Sequence, residues 1–122
     1  RFDVGETSNF ALMPMAIAAL DQILAWGVPH IAETIAALTG RLVARAATLG
    51  LQAVPDARRA PHYVGLRFPG GVPSDLPQRL ATARVYASVR SRGALRVSPH
   101  VYNTEADIDR LIGAIAVATK TA

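Results

Sequence analysis

The hydrophobic period of this 122-residue chain changes at Gly50. Before it, apolar residues recur at helical spacing; after it, short alternating runs appear between two further helical stretches. Met13, Ile17, Leu20 and Leu24 follow one another at steps of four, three and four, which predicts a helix from about Leu12 to Trp26. Pro14 fits only the first turn, and Gly27 is a stop. Pro29 sits where a first-turn proline belongs, and Ile31, Ile35, Leu38, Leu42 and Ala46 form the stripe of a second helix closed by Gly50. Gly40, inside that stripe, costs about 1 kcal/mol against alanine and marks an expected close-packing or bend position. Residues 1–9 read as extended, ending in the helix-start cluster Thr7-Ser8-Asn9.

The second half predicts short strands at Leu51–Val54, His62–Phe68, Arg84–Arg90 and Ala94–Ser98. Pro69-Gly70-Gly71-Val72-Pro73 is a turn, and Ser74 or Asp75 caps a helix through about Ala83. Ser91-Arg92-Gly93 turns the chain again. Thr104-Glu105-Ala106-Asp107 reads as a capping box, with Asp in place of Glu, opening a last helix along Ile108, Leu111, Ile112 and Ile115. The order α-α-β-β-α-β-β-α predicts an α+β fold. It is a small, mainly antiparallel four-stranded sheet with helices on one face, preceded by two helices.

Composition narrows the function classes. Hydrophobic residues at 51% and charged residues at 18% exclude a disordered chain. With no cysteine there is no disulfide framework, thiolate zinc site or cysteine nucleophile. His30, His62 and His100 show no metal-ligand spacing, so no metal site is expected. There is no GxGxxG, phosphate-binding loop or Ser-His-Asp signature. No stretch is long and clean enough to suggest a membrane span or a signal peptide, and a soluble, cytoplasmic protein is expected. Thirteen basic residues against nine acidic give a net charge of +4, and all but Lys120 of the basic set are arginine. That balance suits anionic metabolites and nucleic acid alike.

Chemistry-bearing residues crowd one run: Arg92, Arg96, Ser98, His100, Tyr102 and Asn103. An arginine on a strand can grip a carboxylate with two parallel hydrogen bonds. Pro99 holds Ser98 extended, so the chain passes from strand through an irregular connection into a capped helix, a place where ligand groups often sit. On the residues alone, a surface arginine, a loop histidine and a helix cap explain the same run.

The stretch Ala94 to Ala114 resembles the C-terminal end of class V aminotransferases. It contains Leu95-Arg96-Val97-Ser98-Pro99-His100, Tyr102-Asn103-Thr104 and Asp107-Ile108-Asp109. These are enzymes of the aspartate-aminotransferase fold type that depend on pyridoxal phosphate (PLP). The opening is similar too: Arg1-Phe2-Asp3-Val4-Gly5, then Asn9-Phe10, then a helix ending at Trp26-Gly27. The resemblance covers essentially the whole chain but only the C-terminal part of the family's length.

The resemblance implies that residues 1–27 are an interface segment and helix adjoining a large domain that is missing here. Residues 28–122 would be the C-terminal small domain. The Schiff-base lysine would belong to the missing N-terminal domain, since Lys120 lies at a helix end. The cofactor would then serve the full-length enzyme and not bind this fragment, which would be inactive alone and hold no catalytic residue. Arg96 matches the arginine that grips the substrate α-carboxylate, and His100 and Asn103 would help shape that pocket. Where the family has Gly-Thr beside the cofactor phosphate of the partner subunit, this chain reads Gly5-Glu6-Thr7. A carboxylate repels a phosphate, which leaves Thr7 or the backbone for that contact. The family's desulfurases carry a reactive cysteine near the segment Val85 to Gly93, and this chain has none. Transamination, epimerisation or elimination on a small amino acid, in a homodimer, is the expectation.

The competing reading, from the residues, is a free-standing basic module that uses its sheet on nucleic acid. The aromatic content of 6% and the absence of a basic-Gly-aromatic run count against it. A third reading is a domain that serves only in dimerisation. The apolar helix Leu12 to Trp26 leads to a further expectation of self-association.

Overall fold

A computed structural model describes residues 10–90 and 93–120. The segment 1–9, including the Thr7-Ser8-Asn9 cluster, and Ser91 and Arg92 of the expected turn lie outside the described residues. The chain divides into two units, residues 1–31 and 32–122.

The first unit holds helix α1, Leu12–Trp26, and the first turn of helix α2, Val28–Ala47. Pro14 falls in the first turn of α1, and the N–H of Gly27 closes its end on Ile23 O and Leu24 O. No residue of α1 is buried. Its sequence LMPMAIAALDQILAW is apolar nearly all round, with Asp21 and Gln22 as its polar residues, and Leu24 is 71% exposed. No single helix among the described residues is long and apolar enough to cross a membrane.

The second unit is an α+β layer. Three strands, β1 (Val64–Arg67), β2 (Ser88–Arg90) and β3 (Ala94–Val97), form an antiparallel sheet in the order β1-β3-β2. The last strand in sequence is the central one. The core joins Leu38, Leu42 and Ala46 of α2, Leu76 and Leu80 of helix α3 (Leu76–Thr82), and Ile108, Leu111, Ile112 and Ile115 of helix α4 (Glu105–Lys120). These residues meet Val64, Leu66, Leu95 and Val97, so every buried strand side chain points to one face of the sheet.

The expected four-stranded sheet has three strands among the described residues. Leu51–Val54 contributes a single antiparallel bridge, Gln52 to Arg67, in which each N–H donates to the other's carbonyl, at 3.0 and 2.8 Å. Leu51 is buried and Val54 is 49% exposed, and the Val54 carbonyl accepts from the Arg59 side chain at 3.1 Å instead of joining the sheet. The segment then forms a short 3₁₀ turn, Asp56–Arg58. The strand expected over Arg84–Arg90 is shorter too, because residues 84–85 complete the end of α3.

Two helices end in the same motif. After α2, Leu51 N–H donates to Ala46 O at 3.1 Å and Gly50 N–H to Ala47 O at 3.0 Å, with Gly50 left-handed at φ 76°. After α3, Val85 N–H donates to Leu80 O at 2.9 Å and Arg84 N–H to Ala81 O at 3.0 Å. Here the left-handed residue is Arg84, at φ 54°, the one non-glycine with positive φ among the described residues. Gly40 does not mark a close approach: a Cβ built on it would meet nothing within 4 Å.

Side chains tie the helices together. Thr39, 1% exposed, places its hydroxyl 3.1 Å from Ala36 O and 3.2 Å from Pro61 O, which pins α2 to the segment leading into β1. Arg41 meets Asp109 at 2.9 Å and Glu105 at 3.1 Å, and Arg45 meets Asp109 at 2.9 Å, so a shared carboxylate links α2 to α4.

Candidate functional site

Arg96 occupies the centre of the sheet. On the central strand it is flanked by Gly65 of β1 and Ser88 of β2. Leu95 and Val97 on either side of it are buried, so alternation carries the Arg96 side chain to the uncovered face. It has no carboxylate partner among the described residues. Beside it is an open hollow of about 440 Å³ lined by His62, Tyr63, Arg96 and Ser98. The rings of His62 and Tyr63 meet edge-on, with centroids 5.0 Å apart. An exposed, unpaired guanidinium beside two aromatic rings and a hydroxyl is suited to holding a carboxylate in a fixed orientation.

The other residues of the run are placed differently. The Asn103 side-chain oxygen accepts from the His100 N–H at 2.8 Å, and the Asn103 N–H donates to His100 O at 2.9 Å. This reciprocal pair shapes the connection between β3 and α4. The His100 ring stacks on Tyr102, with centroids 5.1 Å apart. Asn103 lines a second hollow, of about 220 Å³, together with Arg84, Tyr102 and Asp107. Ser98 lines both hollows, whereas His100 lines neither. The structure thus groups Arg96 with His62 and Tyr63, and groups His100 with Asn103 through the backbone. Thr7 lies outside the described residues. Among the described residues no three His, Asp or Glu side chains stand together as a metal site.

Half of the expected capping box forms. Asp107 accepts from the Thr104 N–H at 2.9 Å, and the Thr104 hydroxyl lies 3.1 Å from the same oxygen. The hydroxyl therefore faces the carboxylate instead of the Asp107 N–H, which donates to Thr104 O. The Thr104 backbone N–H, with help from its hydroxyl, holds the Asp107 carboxyl below the usual carboxylate range. Asp109 is lowered as well, chiefly by its hydrogen bonds from Arg41.

The pairing of His62 and Tyr63 with Arg96 was the part that sequence reasoning missed. The signal that would reveal it is the register Val64 to Val97, which brings the residues preceding β1 beside those following β3.

No family model and no curated protein matches this chain. Among solved structures, the fold is similar to that of a NifS-like protein, with a TM-score of 0.66 and 23% sequence identity. The match covers 88% of this chain and 31% of that one, so the chain spans about a third of the length of the protein it resembles.

Proposed function

We propose that this chain is the C-terminal small domain of a PLP-dependent enzyme of the class V aminotransferase type. In this reading Arg96 holds the α-carboxylate of an amino-acid substrate. The observation that carries it is the placement of Arg96: central in the sheet, exposed, without an acidic partner among the described residues, and beside a hollow. The similarity of fold to part of a NifS-like protein supports it, as does the resemblance of the run Leu95 to Asp109.

The cofactor site would be completed by the rest of the parent protein. The chain's only lysine, Lys120, ends α4, so the Schiff-base lysine would come from the rest of the parent protein. PLP would supply the electron sink there, and this domain's task would be to bind and orient. Arg96 fixes the carboxylate by two parallel hydrogen bonds, which sets the rotation of the substrate about its α-carbon. Tyr63 and His62 wall one side of that position, and Ser98 offers a hydroxyl at its base. Asn103 and His100 support the site through the shape of the connection that follows β3. Thr7 would approach the cofactor phosphate of the partner subunit in a homodimer, and α1 would seat against the domain absent here. The fragment alone would be inactive.

The test is Arg96→Ala in the full-length parent enzyme, assayed on amino-acid substrates. Loss of a charged, bidentate hydrogen bond is worth about 1.5–3 kcal/mol, so kcat/KM should fall by roughly 10- to 150-fold. An unchanged kcat/KM would sink the reading. Arg96→Lys should restore only part of the loss, because lysine keeps the charge but not the fork.

A further inference from the structure

The uncovered face of the sheet carries more than Arg96. Val64, Leu66, Leu95 and Val97 point into the core, so Gly65, Arg67, Ala94 and Arg96 point the other way. Arg67 stands opposite Ala94 from one side, and Arg90 stands opposite Ala94 from the other. Each is therefore diagonal to Arg96 on the same face, at about 7–8 Å between backbones. The positions between the three arginines are small: Gly65, Ser88 and Ala94. A Cβ built on Gly65 would meet nothing within 4 Å, so the floor beside Arg96 is open. Three exposed arginines on one face thus flank positions occupied by small residues.

The charges are sorted in a telling way. Arg41, Arg45, Arg59, Arg79 and Arg110 each pair with a carboxylate. Arg67, Arg90 and Arg96 have no such partner among the described residues, and all three are exposed. Arg58, on the 3₁₀ turn, and Arg84, at the end of α3, also lack one, but neither is on a strand of the sheet. Like charges on neighbouring strand positions repel and weaken a sheet. Keeping three of them together without an acid is explained by oxyanions that arrive from outside.

We propose that this face binds a small dianion. The substrate would be an amino acid with a second acidic group, its α-carboxylate on Arg96 and its distal oxyanion over Ala94 between Arg67 and Arg90. The inference rests on the reading of Arg96 as the carboxylate anchor and names the substrate class for that site. Along β3 the order is Ser98, Arg96, Ala94, so Arg96 divides the hollow at Tyr63 from the floor at Ala94. A ligand held there can keep its reacting carbon beside the hollow while its far end reaches Arg67 and Arg90. Nucleic acid fits the face less well. No strand residue is aromatic, in VGLR, SVR or ALRV, so apart from His62 and Tyr63 ahead of β1 the strands give bases no rings to stack on.

The experiment is an NMR titration of the isotopically labelled 122-residue chain with acetate and, separately, with succinate. The reporters are the arginine Nε–H signals and the amides of Gly65, Ser88 and Ala94. Acetate should move Arg96 alone. Succinate should move Arg96, Arg67 and Arg90 and bind about fivefold more tightly, the scale of one added exposed ion pair. R67Q and R90Q should each weaken succinate about threefold and leave acetate unchanged, while R67K and R90K should recover part of the loss. Equal affinities, with every shift confined to Arg96, would overturn the second subsite and leave the carboxylate reading standing. No response of Arg96 to either probe would overturn both. A single-stranded oligonucleotide that binds with steep salt dependence, where succinate leaves Arg67 and Arg90 unmoved, would overturn the proposal in favour of nucleic acid.

Discussion

Arg84 shows how much one residue can depend on where a helix ends. It occupies the left-handed position that closes α3, the position that Gly50 fills after α2. A side chain there crowds its own carbonyl, at a cost of about 1–2 kcal/mol, which glycine avoids. Arg84→Gly should therefore raise the stability of the chain, by up to about 1 kcal/mol once the glycine's greater freedom when unfolded is counted. The urea midpoint should move up with an unchanged slope, and a drop in midpoint would show that the arginine side chain does more than occupy the turn. At this scale the candidate site was half legible in the sequence. Arg96 could be found because its neighbours Leu95, Val97 and Pro99 fix its direction within five residues. His62, Tyr63, Arg67 and Arg90 could not, because what joins them to Arg96 is strand register, set by contacts some thirty residues apart or across a turn. Arg92, in the same crowded run, lies outside the described residues.

The helices were legible because their signal is local. A stripe of apolar residues with a proline in the first turn and a glycine past the end places α1 and α2 without reference to the rest of the chain. The strands were overcounted for the same reason: Leu51–Val54 has strand-forming residues, and only the bridge at Gln52 finds a partner. The link between α2 and α4 was invisible in the sequence, since Arg41, Arg45, Glu105 and Asp109 meet only after folding. It has a consequence in acid. The carboxyls of Asp107 and Asp109 are held below their ordinary value in the folded chain, so protons bind them more weakly than in the unfolded chain. Their contribution is present above the ordinary carboxylate pKa and is lost as pH falls through the depressed folded values. Urea midpoints should thus decline on acidification in that window. Asp109→Asn should flatten the decline, and an identical pH profile for the variant would show that the pair with Arg41 contributes nothing to it.

For the molecule as a whole, the weight falls on α1. A helix that is apolar nearly all round belongs in an interior, yet none of its residues is buried. Phe10, at 86% exposure, and Met15, at 67%, extend the uncovered surface along it. The 122-residue chain should therefore self-associate at micromolar concentration. Light scattering should report species above 12.9 kDa. The double substitution Ile17→Glu with Leu24→Glu should return it to a single species of that mass. A wild-type chain that is already monomeric would count against α1 as a docking helix. The order of the sheet reaches further, into the way the protein is made. Synthesis delivers β1 and β2 before β3, yet they cannot join one sheet until β3 is inserted between them, and until then the bridge from Arg67 to Gln52 is the pairing open to β1. On the ribosome the edges that β3 will fill stay open until it emerges, as does the part of the apolar side that α4 later covers. The sheet closes in one step when residues 94–97 emerge, so the strand whose arrival completes the sheet is also the one that carries Arg96.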